Sequence, residues 1–354
     1  MKHAARPIEG AAFVTECEAL QPMIDFFVDR LDFRLERISP ADDPKLAELA
    51  GHGLRILIRR GPLSPGGILR LCCADPEAIG ANAGELFAPN GLRIEVEKPR
   101  ERMVVPPLLE ETAVTRAEAD WIVGRAGMSY RDLVPGRLGG RFIASNIRVE
   151  QGGPVPDYVH YHAVRFQLIF CTAGWVRLVY EDQGEPFVLK PGDCVLQPPE
   201  IRHRVLECSA GLEVVEVASP ASHDTFVDHD LVLPNGTIDP DRYFGAQRFV
   251  WSRATEAAWA LDEIDKTQVR SLGMEEATGG LVRAHVRRVP ADLKRTWTHG
   301  SELGLIYVAG GAVRVEGVGV PPLELGPRDS LVVPGSAVLQ ITATEDSELF
   351  EVLS

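Results

Sequence analysis

No dense Lys/Arg run occurs in this chain, whose 37 basic residues are outnumbered by 51 acidic ones, leaving a formal net charge of −14. A phosphate backbone finds no electrostatic footprint here, and nucleic acid is excluded as an expected partner. No stretch reaches the roughly 18–20 apolar residues that span a bilayer. The N-terminal MKHAARPIEG runs into Pro and Glu rather than an apolar segment, so no membrane association is expected and the cytoplasm is the expected compartment. The six cysteines, Cys17, Cys72, Cys73, Cys171, Cys194 and Cys208, form no CxxC pair, which argues against a disulfide framework or a zinc ribbon. HExxH, GxSxG, GxxxxGK[ST] and a strand-borne GxGxxG are also missing, removing the common hydrolase, NTPase and dinucleotide signatures.

What is present is a globular composition rich in turn-formers: 45% hydrophobic residues, 25% charged, 33 glycines and 26 prolines over 354 residues. Many-stranded chains have this profile, and the length suits two or three domains. The first hundred residues mix helix and strand. Phe13–Glu16 reads as a strand, Met23, Phe26, Phe27 and Leu31 mark one face of a helix, and Phe33–Ile38, Leu54–Arg59 and Ile68–Cys73 complete a βαβββ-like order. A shorter second copy is expected from a helix at Asp75–Ala83 and a strand at Leu92–Glu97. Near residues 104–130, Pro106-Pro107 breaks the strand pattern, and Thr115 with Glu118 fits a capping box opening a short helix.

Beyond Arg131 the sequence repeats itself. Gly139–Val149 parallels Gly279–Val289, and His162–Gly174 parallels His299–Gly311 without a gap. Asn235–Arg253 is the expected junction. In the first copy His160 and His162 are two apart on a strand and therefore share a face. Gln167, Gly174, Gly192-Asp193, Pro198 and His203 follow.

Two stretches then resemble known families. FFVDRLDFRLE and LFAPNGLRIEV, over about ninety residues, resemble the vicinal-oxygen-chelate (glyoxalase-like) module; its usual metal-binding His position holds Ala11-Ala12, which implies a scaffold or interaction domain. HxH(x)4Q(x)6G followed by G(x)5P(x)4H resembles the two motifs of the cupin superfamily, with Gln167 at the usual Glu and Glu200 at the usual Gly. The resemblance implies a mainly β chain: two tandem cupin (double-stranded β-helix, jelly-roll) barrels preceded by an α+β glyoxalase-like domain. Its parts would be a degenerate glyoxalase-like domain over 1–104, a helical linker over 105–130, a metal-binding barrel over 131–240 and a degenerate barrel over 241–354.

By position in that motif, His160, His162, Gln167 and His203 would hold one divalent transition metal per chain, iron first, with zinc, manganese, nickel or copper as alternatives. In the second copy Trp297, His299, Gly304 and Leu339 stand at these places, so no metal is expected there. Asn146, Arg148 and Arg165 are candidates to line the pocket and hold a substrate carboxylate. A carboxamide in place of a carboxylate leaves the metal's charge unquenched and supplies no base. That favours a small anionic or oxygen-chelating substrate and a metal-dependent oxidoreductase, most concretely a non-haem iron dioxygenase acting on an enolisable or phenolic compound. A redox-neutral zinc or manganese isomerase or decarboxylase, and a non-catalytic metabolite-binding bicupin, are the alternatives. The second barrel suits packing or a homo-oligomer interface.

Overall fold

The computed structural model describes residues 8–354 apart from 31, 52, 63–66, 80, 82–83, 88–92, 99–102, 125–126 and 318–319. Strands dominate it, and the chain divides into two compact units: Met1–Val104 with His223–Asp228, and Val105–Ser222 with His229–Ser354. No described helix is long and apolar enough to cross a membrane.

In the smaller unit the strand Ile8–Cys17 runs parallel to Leu54–Arg60 and antiparallel to Ile68–Cys73, which in turn runs parallel to Arg93–Glu97. Arg34–Ser39 and Leu46–Gly51 extend the sheet beyond Leu54–Arg60. The first βαβββ set therefore closes with Leu54–Arg60. Ile68–Cys73, expected to end it, instead opens the second copy, because the Ala-rich Leu46–Gly51 takes a strand place that its composition did not announce. Helix Leu20–Asp25 buries Leu20 and Ile24, one turn apart, on the sheet residues Ala47, Leu49, Ile56 and Ile58. Phe26, expected on the buried face, is 40% exposed in a π-helical continuation, Phe26–Arg30, and Leu31 lies outside the described residues. Of the expected helix at 75–83, only the 3-10 turn Pro76–Ile79 is described. A late segment completes this sheet: Thr225–Val227 pairs with Arg34–Ser39, and Arg37 binds Asp224 at 2.7 Å and Glu48 at 3.1 Å.

The larger unit holds the sequence repeat as two pairs of sheets. In the first repeat a seven-stranded sheet, centred on Phe166–Ala173 and Leu212–Ser219, faces the strands Val176–Tyr180, Phe187–Leu189, His203–Cys208 and His160–His162. Ile147, Cys171, Val195 and Val214 from one sheet meet Val176, Leu178, Leu189 and Cys208 from the other. The second repeat copies this with a seven-stranded sheet around Gly304–Gly310 and Ser347–Leu353 and a four-stranded sheet led by Lys294–Thr298 and Val338–Ala343. The two seven-stranded sheets pack back to back, and Phe170 stacks on Phe350 with ring centroids 4.3 Å apart.

This layering explains the sequence patterns. Cys194–Gln197 and Ser330–Val333 are buried at every residue, since their sheets are covered on both faces, whereas Lys294–Thr298 alternates exposed and buried along an outer sheet. The hairpin after Ala173 needs Gly174: its φ is +68°, and a Cβ there would lie 2.5 Å from Ser209 Oγ.

Residues 105–130, expected as a helical linker, carry strands instead. Ala113–Thr115 adds to the second repeat's large sheet, with Thr115 opposite Ser330, while Ile122–Val123 and Ser129–Asp132 add to the first. Sheet edges that would otherwise stand open overrode the local capping signal.

Candidate metal centre

His160 and His162 lie on the short strand His160–His162, whose burial alternates, and His203 opens the neighbouring antiparallel strand in register with His160. Residues directly opposite each other project from the same side of a sheet, so all three imidazoles converge. Their donor nitrogens lie within 4.8 Å of one another, and the residues are only 4%, 8% and 4% exposed. Among the described residues this is the one cluster of its kind.

Backbone carbonyls set the tautomers of two of them. His160 Nδ1 lies 2.8 Å from Tyr158 O and His203 Nδ1 lies 3.1 Å from Ile201 O; a carbonyl only accepts, so each Nδ1 carries the proton and each Nε2 the lone pair. The Asp157 carboxylate stands 3.4 Å from His160 Nδ1 and is held by the Val205 N–H at 2.9 Å. Tyr180, in register with His203, stacks on it at 5.4 Å. Burial pushes the Tyr180 phenol far up and keeps it neutral.

Gln167 turns into the same interior from the facing sheet, on the same side of its strand as Cys171, and is 2% exposed with no partner for Oε1. Gln197, directly opposite it and 1% exposed, has no partner for either amide atom. Two buried carboxamides with unsatisfied atoms cost roughly 1–3 kcal/mol per group unless something fills the space between the sheets. Three imidazoles and a neutral oxygen donor are a donor set that suits a divalent transition metal. Burial pushes the Cys171 thiol up to about 12, so no thiolate competes at neutral pH.

The other expected site residues have partners elsewhere. Asn146 shares the back-to-back face of its strand with Ala144, donates to Val214 O at 3.0 Å and accepts from Arg131 at 3.1 Å. Arg148 lies over the Trp121 ring at 4.4 Å and donates to Glu150 at 3.1 Å. Arg165 stands 3.5 Å from Glu302. Gln197 and Tyr180 were not anticipated; the signal for both is cross-strand register with Gln167 and His203, which chain spacing does not carry.

In the second repeat Trp297 and Leu339 occupy the paired places of His160 and His203, again directly in register, and are 3% and 0% exposed. His299 folds over Gly304: a Cβ at Gly304 would lie 2.1 Å from His299 Nε2, so the imidazole fills the volume that a fourth ligand would need. Its Nδ1 accepts the Ser301 N–H at 3.2 Å, and desolvation lowers its pKa.

No known protein-family profile matches the chain, and no curated protein does. Solved structures do match in fold. A point variant of Bacillus subtilis oxalate decarboxylase OxdC is 12% identical, with 72% of this chain and 80% of that one covered at a TM-score of 0.50. The formate complex of Lactobacillus farciminis oxalate decarboxylase is 15% identical, with 70% and 89% covered at 0.50. The E. coli protein Ylba is 12% identical, with 72% and 94% covered at 0.51. At these identities the likeness is one of fold alone.

Proposed function

We propose that the chain is a metal-dependent cupin enzyme acting on a small oxygen-chelating anion, with His160, His162 and His203 holding one divalent metal and Gln167 supplying or vacating a fourth position. In this reading each repeat is a cupin barrel, only the first is a working one, and the N-terminal unit is a glyoxalase-like scaffold. The observation that carries it is the convergence of three buried imidazoles on an interior whose two facing carboxamides have unsatisfied atoms. A metal bound there would act as a Lewis acid toward substrate oxygens and, if redox-active, would open dioxygen chemistry. The protein's own contributions are positional. Tyr158 O and Ile201 O fix the tautomers of His160 and His203, Tyr180 restrains the His203 ring, and the double-sheet interior excludes water. Gln197 can donate to one substrate oxygen and accept from a hydroxyl, which orients the substrate. No carboxylate stands among the ligands to take a proton, so the substrate is one that reaches the site already ionised or readily ionised, such as a β-diketone, a hydroxyphenyl ketone or a 2-oxo acid.

The leading reaction is dioxygenation. A redox-neutral decarboxylation or isomerisation is the second reading, favoured by the fold shared with oxalate decarboxylases. Protein loaded anaerobically with Fe(II), Mn(II) or Zn(II) and offered these compounds with oxalate separates them. Substrate-dependent O2 uptake by the iron form alone is the expected result. Release of CO2 without O2 uptake by the manganese form would replace it with the redox-neutral reading, and tight binding without turnover by any form would leave a binding module. Gln167→Glu is expected to tighten divalent metal binding about tenfold and to weaken an anionic ligand in parallel, because it lowers the positive charge of the site. Unchanged metal affinity in a titration would place Gln167 outside the ligand set.

A further inference from the structure

A second concavity, of about 260 Å3, lies between the two repeats and is lined by Phe170, Trp259, Arg270, Arg288 and Glu348 among others. It is separate from the histidine cluster, because Phe170 turns to the opposite face of its strand from Gln167. Arg270 is its unusual member. The residue is 2% exposed, its Nη2 donates to Gly192 O at 2.8 Å, and its Nη1 is buried with no acceptor.

The carboxylates that could answer this guanidinium are already engaged. Asp193 accepts the Ala254 N–H at 2.8 Å on one oxygen and the Lys190 N–H at 3.0 Å on the other, while Glu348 takes Arg288 Nε at 3.1 Å. A buried guanidinium with an empty donor is costly, and desolvation accordingly lowers the Arg270 pKa. Trp259 holds the two cationic groups in place, with Arg288 3.9 Å and Arg270 5.7 Å from its ring centroid.

We propose that this cavity binds a small monocarboxylate, which Arg270 and Arg288 receive. Among the lining residues two guanidiniums stand against the one carboxylate of Glu348, while Asp193, outside the lining, is held by the Ala254 and Lys190 N–H groups; that lining suits one carboxylate group, and a phosphate, carrying nearly two charges, would meet Glu348 as a stronger repelling neighbour. The volume lies below the roughly 300–1,000 Å3 of pockets for drug-sized ligands, so the occupant has few heavy atoms.

Calorimetric titration of the full chain with acetate, propionate and inorganic phosphate tests this. Saturable monocarboxylate binding near one per chain is expected, preserved in His162→Ala and weakened tenfold or more in Arg288→Glu, with phosphate weaker throughout. Arg288 is half-exposed, so this variant keeps its core, and far-UV circular dichroism checks the fold. Arg270→Gln, which removes the buried charge itself, should lose binding as well. Absence of saturable monocarboxylate binding, binding lost in His162→Ala but kept in Arg288→Glu, or tighter phosphate than carboxylate overturns the proposal.

Discussion

The two repeats place the same strands in the same register and fill them with opposite chemistry. Where His160 faces His203 in the first, Trp297 faces Leu339 in the second. The first interior keeps imidazoles and unsatisfied carboxamides, and the second is packed with indole, leucine and the imidazole of His299 lying over Gly304. The second repeat instead concentrates its polarity in a closed network around Glu351. That carboxylate is fully buried and binds Arg295, Arg287 and His285, while Asp265 accepts from Arg287 at 3.1 Å and stands as an ion pair 2.9 Å from Arg295 Nε. The second repeat therefore builds the same double-sheet framework from packed apolar side chains and buried ion pairs, with no counterpart of the three-histidine cluster among its described residues.

The sharpest way to break this comparison is to remove one histidine from each repeat. His162→Ala is expected to take metal content from about one per chain to nearly none while leaving a folded protein, and the equivalent His299→Ala to leave it unchanged. Elemental analysis of both variants decides it, and metal lost from His299→Ala would mean that the second repeat is not metal-free.

The next effect is the mirror image, large for stability and absent for metal. Glu351→Gln removes the fully buried anion between Arg295, Arg287 and His285 and leaves the arginines only Asp265 and Asp262 at the edge of the network, which costs about 3 kcal/mol by denaturant unfolding, and metal content should not change. The effect depends on pH in a defined sense. Burial alone would raise the Glu351 carboxyl, but Arg295, His285 and Arg287 outweigh it and hold the group well below the usual carboxylate range. A depressed folded-state pKa gives stability that is complete above the unfolded value of about 4.3 and is lost as pH falls toward the folded value. The gap between wild type and Glu351→Gln should therefore hold from neutrality to about pH 5 and shrink below about pH 4. A constant gap across that window would remove the charge on Glu351 as the cause.

How far the sequence alone revealed these features depended on the type of signal. His160 and His162 were legible as one face from their spacing on a strand, His203 only from its place in the motif that the sequence resembles, and the tandem repeat from its glycines and aspartates. Gln197 and Tyr180 were not, since each reaches the interior through pairing with a strand distant in sequence. Asn146 and Arg148 show another limit: alternation says that a strand has two faces, but only packing against Ala144 and its neighbours says which one meets the second repeat. Thr115 shows tertiary override, its capping signal giving way to a ladder with Ser330. The return of Thr225–Val227 to the N-terminal unit had no local signature beyond three strand-forming residues.

The smallest effect sharpens the comparison at a turn. Glu200, at the place where the cupin motif usually has glycine, holds φ at +60°, and its N–H donates to His162 O at 3.2 Å. Ser336, its equivalent in the second repeat, is not among the residues with positive φ. A left-handed backbone costs a non-glycine residue about 1–2 kcal/mol, part of which a glycine forfeits again through the greater freedom of its unfolded chain. Glu200→Gly should consequently raise the unfolding free energy by about 0.5–1 kcal/mol, whereas Ser336→Gly should lower it by a similar amount. Urea unfolding of the pair measures the contrast, with a metal titration alongside. If Glu200→Gly gains stability at unchanged metal affinity, the strain is local to the turn. A several-fold loss of metal affinity would instead mean that the strained turn, through its bond to His162 O, sets the position of the ligand strand.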